Sequence, residues 1–219
     1  MSRSGELRLI AVLLDYPDER LLAGRAEIDG AVAALDASPR REAIATFVRW
    51  LFEMDPLVVA QEYVASFDFS KRTSLHLSFY AYGDRRQRGM AMVALKQRFA
   101  AAGLPLADGV LPDFLPAVVE FAALAPADQG DEVIAQLRGG IEIVRAGLHA
   151  AASPYAHLLD ALVAGLPRLT REERAAVERL AVEGPPTELV GLEPFAPPEV
   201  MPEPRRGCAT SGVAGAASR

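Results

Sequence analysis

The sequence predicts an all-α protein: a single compact multi-helix domain over residues 1–183, then a Pro/Gly/Ala-rich flexible tail over residues 184–219. Apolar residues recur at helical spacing through the first 183 positions, and capping residues precede several of these runs. Neither short β-branched runs at regular intervals nor Asn-Gly hairpin turns occur. With no repeat of fixed period, about seven to ten helices in one domain are expected, and an α/β enzyme fold is not.

Each helix has its own signal. Leu7, Ile10, Ala11 and Leu14 set the first, and Tyr16-Pro17 stops it, because proline cannot continue a helix. Asp55 before Pro56 is an N-cap followed by proline at the first helical position, opening a helix through Val58, Val59, Tyr63 and Phe67. Asp84 with Gln87 reads as a capping box for a helix that ends at Gly103. Met92, Leu95 and Phe99 line one face of it, surrounded by Arg85, Arg86, Arg88, Lys96 and Arg98. Ser153-Pro154 starts a helix over residues 153–165, and Thr170 with Glu173 forms a second capping box for a helix closed by Gly184. Beyond it, seven prolines and few large apolar residues predict an extended tail, in which residues 189–195 are the one stretch suited to docking.

Composition narrows the function. The chain has 219 residues, 51% of them hydrophobic, enough for a sizeable core. Its 23 Lys+Arg against 29 Asp+Glu give a net charge of −6, which disfavours nucleic-acid binding, since that needs a basic surplus. One cysteine, Cys208, excludes a disulfide framework and multi-cysteine metal centres, and three histidines leave little for transition metals. The longest apolar runs, such as residues 9–14, fall far short of a membrane span, and Glu6, Asp15, Asp18 and Glu19 are foreign to a signal peptide. A cytoplasmic, metal-free protein that does not insert into membranes is expected.

Catalytic equipment is scarce. Dinucleotide-binding, phosphate-loop, zinc-protease and nucleophile-elbow motifs are all missing. His76 has no cysteine or second histidine beside it, and Pro154 separates His149 from His157, so these read as ordinary polar residues. The acidic pairs Asp15/Asp18 and Glu172/Glu173 lie at helix starts, where they complement the helix dipole. Two stretches stand out: YVASFDFSKRTS at 63–74, with three aromatics around a helix end, and LPDFLPAVVE at 111–120, where Asp113 can cap a helix between two prolines. Both fit loops and caps joining core helices. Both also fit a groove of apolar side chains and charges that receives an amphipathic peptide helix.

These stretches, with GDRRQRGMAMVAL at 83–95, Ala102-Gly103-Leu104 and the opening Leu13-Leu14-Asp15-Tyr16-Pro17, follow one another in the order typical of one family. Over residues 7–165 the chain resembles the nitrate reductase molybdenum cofactor assembly chaperones (NarJ type), within the redox-enzyme maturation chaperones. The resemblance implies a protein with no catalytic activity and no cofactor of its own. It implies a partner: the apo catalytic subunit of respiratory nitrate reductase, bound in the cytoplasm through its N-terminal segment while molybdenum cofactor is inserted, before membrane docking.

The resemblance also implies client-binding residues. Tyr63, Phe67 and Asp68 match the aromatic-rich helix end. Asp84, Arg88 and Gly89 match the Gly-Asp…Arg-Gly segment, with Gly89 allowing close helix approach and Arg88 meeting a client carboxylate. On that reading Arg88→Glu weakens client binding and leaves thermal stability nearly unchanged. Leu111, Pro112, Asp113 and Pro116 match a segment that usually has histidine where this chain has Phe114. Two alternatives stand beside this reading: a maturation chaperone for a dimethyl sulfoxide or trimethylamine N-oxide reductase, and a helical regulatory or scaffold module. The Gly-Asp…Arg-Gly-Met-Ala segment favours the nitrate type.

Overall fold

The computed structural model describes residues 3–70, 72–83 and 86–183. The expected tail over 184–219, with Gly184 and Cys208, lies outside the described residues, as does Asp84 of the expected capping box. Among the described residues eleven helices follow one another: α1 (Arg3–Leu13), α2 (Glu19–Ala23), α3 (Arg25–Ala33), α4 (Pro39–Glu53), α5 (Pro56–Phe67), α6 (Ser78–Tyr82), α7 (Arg86–Ala101), α8 (Leu115–Leu124), α9 (Ala127–Ala150), α10 (Ala156–Ala164) and α11 (Arg171–Glu183). The described residues contain no named strand, only an isolated antiparallel bridge between His76 and Phe114. The all-α class therefore holds. The helix count exceeds the expected range because α2 and α6 are five-residue helices, too short for periodicity to register.

Local chemistry explains the boundaries. The Asp55 carboxylate accepts from the Leu57 N–H at 2.8 Å, and Pro56 opens α5. Thr170 and Glu173 form a reciprocal box: Glu173 N–H donates to Thr170 Oγ1 at 3.2 Å, and Thr170 N–H to Glu173 Oε2 at 2.8 Å. Past the end of α7, Gly103 adopts φ +74°, and the Leu104 N–H donates back to the Phe99 carbonyl at 3.0 Å. The helix expected from Ser153 starts later, at Ala156. Ser153 instead bonds across to α5, its hydroxyl 2.7 Å from Ser66 Oγ and 2.8 Å from Glu62 Oε1.

The most apolar helix sits at the centre. Eight of the ten residues of α8 are buried, and it packs between α1 and α9. The crossing with α1 is antiparallel, since Ser4 bonds to the Ala123 carbonyl while Ala11 and Val12 lie beside Phe114 and Pro116. Helix α10 packs on α4, α9 and α1, and Arg40 ties three of these together: it pairs with Glu6 at 2.6 Å and donates to the Ala161 carbonyl at 3.0 Å. Where α5 meets α4 and α10, Tyr63, Phe67, Phe47 and Trp50 gather around Tyr155 with ring centroids 4.8–5.9 Å apart.

Candidate functional site

Asp113 is the polar centre of the molecule. It is wholly buried, and its carboxylate collects four polar contacts from three residues, His76, Ser78 and Arg88. The His76 ring Nδ1 lies 3.3 Å from Oδ1. Oδ2 accepts from the Ser78 N–H at 3.3 Å, the Ser78 hydroxyl at 2.5 Å and Arg88 Nη2 at 3.3 Å. Arg88 Nε donates in turn to Ser78 Oγ at 3.1 Å. Two backbone bonds flank the carboxylate, Leu77 N–H to Asp113 O at 3.0 Å and Leu115 N–H to Leu75 O at 2.8 Å. Burial alone drives a carboxyl upward, but the bonds from His76 and Ser78 and the charges of His76 and Arg88 outweigh it and hold Asp113 below the ordinary carboxylate range.

This arrangement corrects one expectation. Asp113 does not cap the helix that follows it: Phe114 is the N-cap of α8, and the Asp113 side chain turns instead to the first N–H of α6. Arg88 pairs with this internal carboxylate. The Phe114 ring lies 5.6 Å from that of His76, the two planes tilted by 38°, so an imidazole adjoins the segment.

The other expected residues separate. Tyr63 and Phe67 are buried in the aromatic cluster, while Phe69 is exposed. Burial, with Asp15 and Asp68 nearby, pushes the Tyr63 hydroxyl well above its usual range, so it stays protonated. Asp68 is exposed at the C-terminus of α5. Gly89 is also exposed, and a Cβ built there meets nothing within 4 Å, so it serves no close helix approach. Pro112 and Pro116 are buried, and Leu111 is half-exposed.

Around Pro116 the surface opens into a groove. Three adjoining hollows, of about 230, 450 and 290 Å³, follow one another: the first lies between α1 and α8, the second between the end of α1 and α2 and α3, and the third between the end of α7, residues 104–110 and α8. Val12 and Asp15 are shared by the first and second, and Val110, Ala117 and Glu120 by the first and third. The exposed apolar residues Val12, Tyr16, Val110 and Leu124 line it, and Leu111 is the chain neighbour of Val110. Its charges are Asp15, Asp18, Glu27 and Glu120 against Arg8 and Arg20. Most of these residues went unnoticed as a site in the sequence. One signal for them is the spacing of Arg8, Val12 and Asp15, which puts an apolar residue on the outward face of an otherwise inward-facing helix. Tyr16 connects the groove to the core, its ring edge-on to Tyr63 at 5.3 Å.

The fold and the groove define an all-helical domain with an open, mixed apolar and acidic cleft; no group of three or more metal-ligating side chains occurs among the described residues. Comparison with known proteins gives the family. Residues 33–161 match the nitrate reductase delta subunit family, and the chain belongs to it. The nitrate reductase molybdenum cofactor assembly chaperone NarJ of Escherichia coli K12 is 35% identical over 160 residues, 72% of this chain and 68% of that protein. The probable chaperone of the same name from Bacillus subtilis is 29% identical over 157 residues, 72% of this chain and 85% of that one. The nitrate reductase-like protein NarX of Mycobacterium tuberculosis H37Rv is 36% identical over 152 residues, 69% of this chain but 23% of that longer protein. The matched stretch thus spans less than a quarter of NarX.

Proposed function

We propose that this protein is an assembly chaperone of respiratory nitrate reductase: in the cytoplasm it binds the N-terminal segment of the apo catalytic subunit and supports molybdenum cofactor insertion before membrane docking. The observation that carries this reading is the groove. Its apolar floor suits the face of an amphipathic helix, and four carboxylates against two guanidiniums on its lining favour a client segment of net positive charge. The names of the relatives above, NarJ among them, supply the enzyme that such a client belongs to.

The site residues follow from the same reading. Val12, Tyr16, Val110, Leu111 and Pro116 contact the client, while Asp113, Arg88 and Phe114 hold the groove wall in place. Each large apolar side chain buried by the client is worth about 1.5–3 kcal/mol before ordering costs, so a dissociation constant near the micromolar level, about −8 kcal/mol, is expected. That strength allows release once assembly is complete.

The test mixes this chain with cofactor-free catalytic subunit and with the same subunit lacking about its first 15 residues, the length of a marginal helix. A stoichiometric complex with the first and none with the second is expected on size-exclusion chromatography. Equal binding of both would remove the N-terminal segment from the account, and no binding of either would overturn the chaperone reading.

A further inference from the structure

The hollows of the groove differ in charge. The first sets Asp15 and Glu120 against Arg8, whereas the second sets Asp15, Asp18 and Glu27 against Arg20. The second, of about 450 Å³, therefore carries the larger negative surplus, and its charged rim is exposed. Between the charges its lining is apolar, with Ile28 buried and Leu21 half-buried. Two of the carboxylates are oriented by the backbone: Asp15 Oδ1 accepts from the Tyr16 N–H at 2.8 Å, and Asp18 Oδ1 from the Leu21 N–H at 2.8 Å. Tyr16 lines the same hollow, exposed, with its ring held edge-on to Tyr63 at 5.3 Å. Burial first, then the charges of Asp15 and Asp68, raises the proton affinity of the Tyr63 hydroxyl, so a further carboxylate, at the end of α5, adds to the field around this ring pair.

We propose that the second hollow receives one long cationic side chain of the client segment, with Asp15 as its carboxylate partner and the Tyr16 ring as the surface that its stem crosses. This rests on the client reading above and adds the residue that selects the client. An open, acid-rimmed cleft with an apolar lining suits lysine or arginine, which lay their methylenes on apolar surface and keep the charged head at the water's edge. A cation beside an aromatic face gains further attraction. An apolar side chain in the same place would leave the carboxylates without a counter-charge, so the hollow discriminates by charge as well as by fit. Val12 and Asp15, three positions apart on α1, border both this hollow and the apolar first one. The client's cationic residue is therefore expected three or four positions from a large apolar one, the spacing that sets two side chains on one face of a helix.

The test is a double-mutant cycle on the full chain. A peptide of about the first 15 residues of the nitrate reductase catalytic subunit has each lysine and arginine replaced in turn by methionine. Each version is titrated calorimetrically into the wild-type chain and into Asp15→Asn, which keeps an acceptor for the Tyr16 N–H. One replacement, three or four positions from a large apolar residue, is expected to weaken binding to the wild-type chain at least about fivefold and to Asp15→Asn less than about twofold. Glu178→Gln, which removes an exposed carboxylate on α11, is expected to behave as the wild-type chain does. Losses that are equal in the wild-type chain and Asp15→Asn at every position overturn the proposal. So does a coupling that Glu178→Gln removes as fully, since overall charge would then be the cause. In both cases binding of the unmodified peptide leaves the client reading standing, whereas no binding of that peptide by the wild-type chain removes the reading and the proposal together.

Discussion

Arg88 turns its guanidinium inward, 3.3 Å from the Oδ2 of Asp113, a carboxylate fully shielded from solvent. Twenty-five positions apart in sequence, the two residues fasten α7 to the start of α8, and Ser78 brings α6 into the same cluster.

Arg88→Glu therefore sets a carboxylate against a buried carboxylate. Removing one partner of a buried pair costs about 3–5 kcal/mol, so a loss of at least about 3 kcal/mol is expected, the reverse of the stability-neutral outcome that the sequence suggested. For a chain of this size that is a fall in Tm of roughly 6–12 °C, read by calorimetry. An unchanged Tm would show that Arg88 is free to serve a client.

Asp113→Asn tests the same cluster through pH. The folded-state proton affinity of Asp113 is depressed, so its charge contributes stability that is fully present above the unfolded carboxylate value of about 4 and is lost as pH falls through the lower folded value. Urea unfolding of the wild-type chain is expected to lose free energy from about pH 5 downward more steeply than the variant, with the two curves converging in acid. Parallel curves would remove Asp113 from the acid response.

Two glycines give opposite signs. Gly89→Ala fills open space in a helix and is expected to raise stability by about 0.5–1 kcal/mol. A Cβ at Gly140 would stand 2.9 Å from the Leu77 carbonyl oxygen and 3.1 Å from the Tyr80 ring, so Gly140→Ala is expected to cost about 1–3 kcal/mol. Denaturant unfolding of both variants checks the pair, and a destabilised Gly89→Ala would restore a packing role to that position.

Phe67→Ala leaves a cavity beside Tyr63 and Tyr155, and a loss of about 3–5 kcal/mol is expected in the same assay. A cost below about 1 kcal/mol would mean that the ring serves a surface rather than the core.

These contrasts show what local sequence carries. Asp55-Pro56, Thr170 with Glu173 and Gly103 were legible because a cap or stop is decided within a few residues, and α5, α11 and the end of α7 follow from them. The partners of Tyr63, Phe67, Asp113 and Arg88 were not. Tyr155 approaches Phe67 from 88 positions away, and a buried aromatic and a groove-lining aromatic share the same helical spacing. Of the 111–120 stretch, Phe114, Pro116, Ala117 and Glu120 line the first hollow, but the opposite wall comes from α1, whose helical spacing marks its buried side and not its outward one.

The central claim is that the α1/α8 groove receives the client's N-terminal helix, and one calorimetric titration tests it most directly. A peptide of about the first 15 residues of the nitrate reductase catalytic subunit from the same organism is added to the wild-type chain and to Val12→Asp, with a scrambled peptide as control. Val12 is 51% exposed, so its substitution leaves the fold intact. The account predicts saturable binding to the wild-type chain with a negative heat-capacity change, at least tenfold weaker binding to Val12→Asp, and none of the scramble. Equal affinity for both peptides, or an affinity that Val12→Asp leaves untouched, would contradict it.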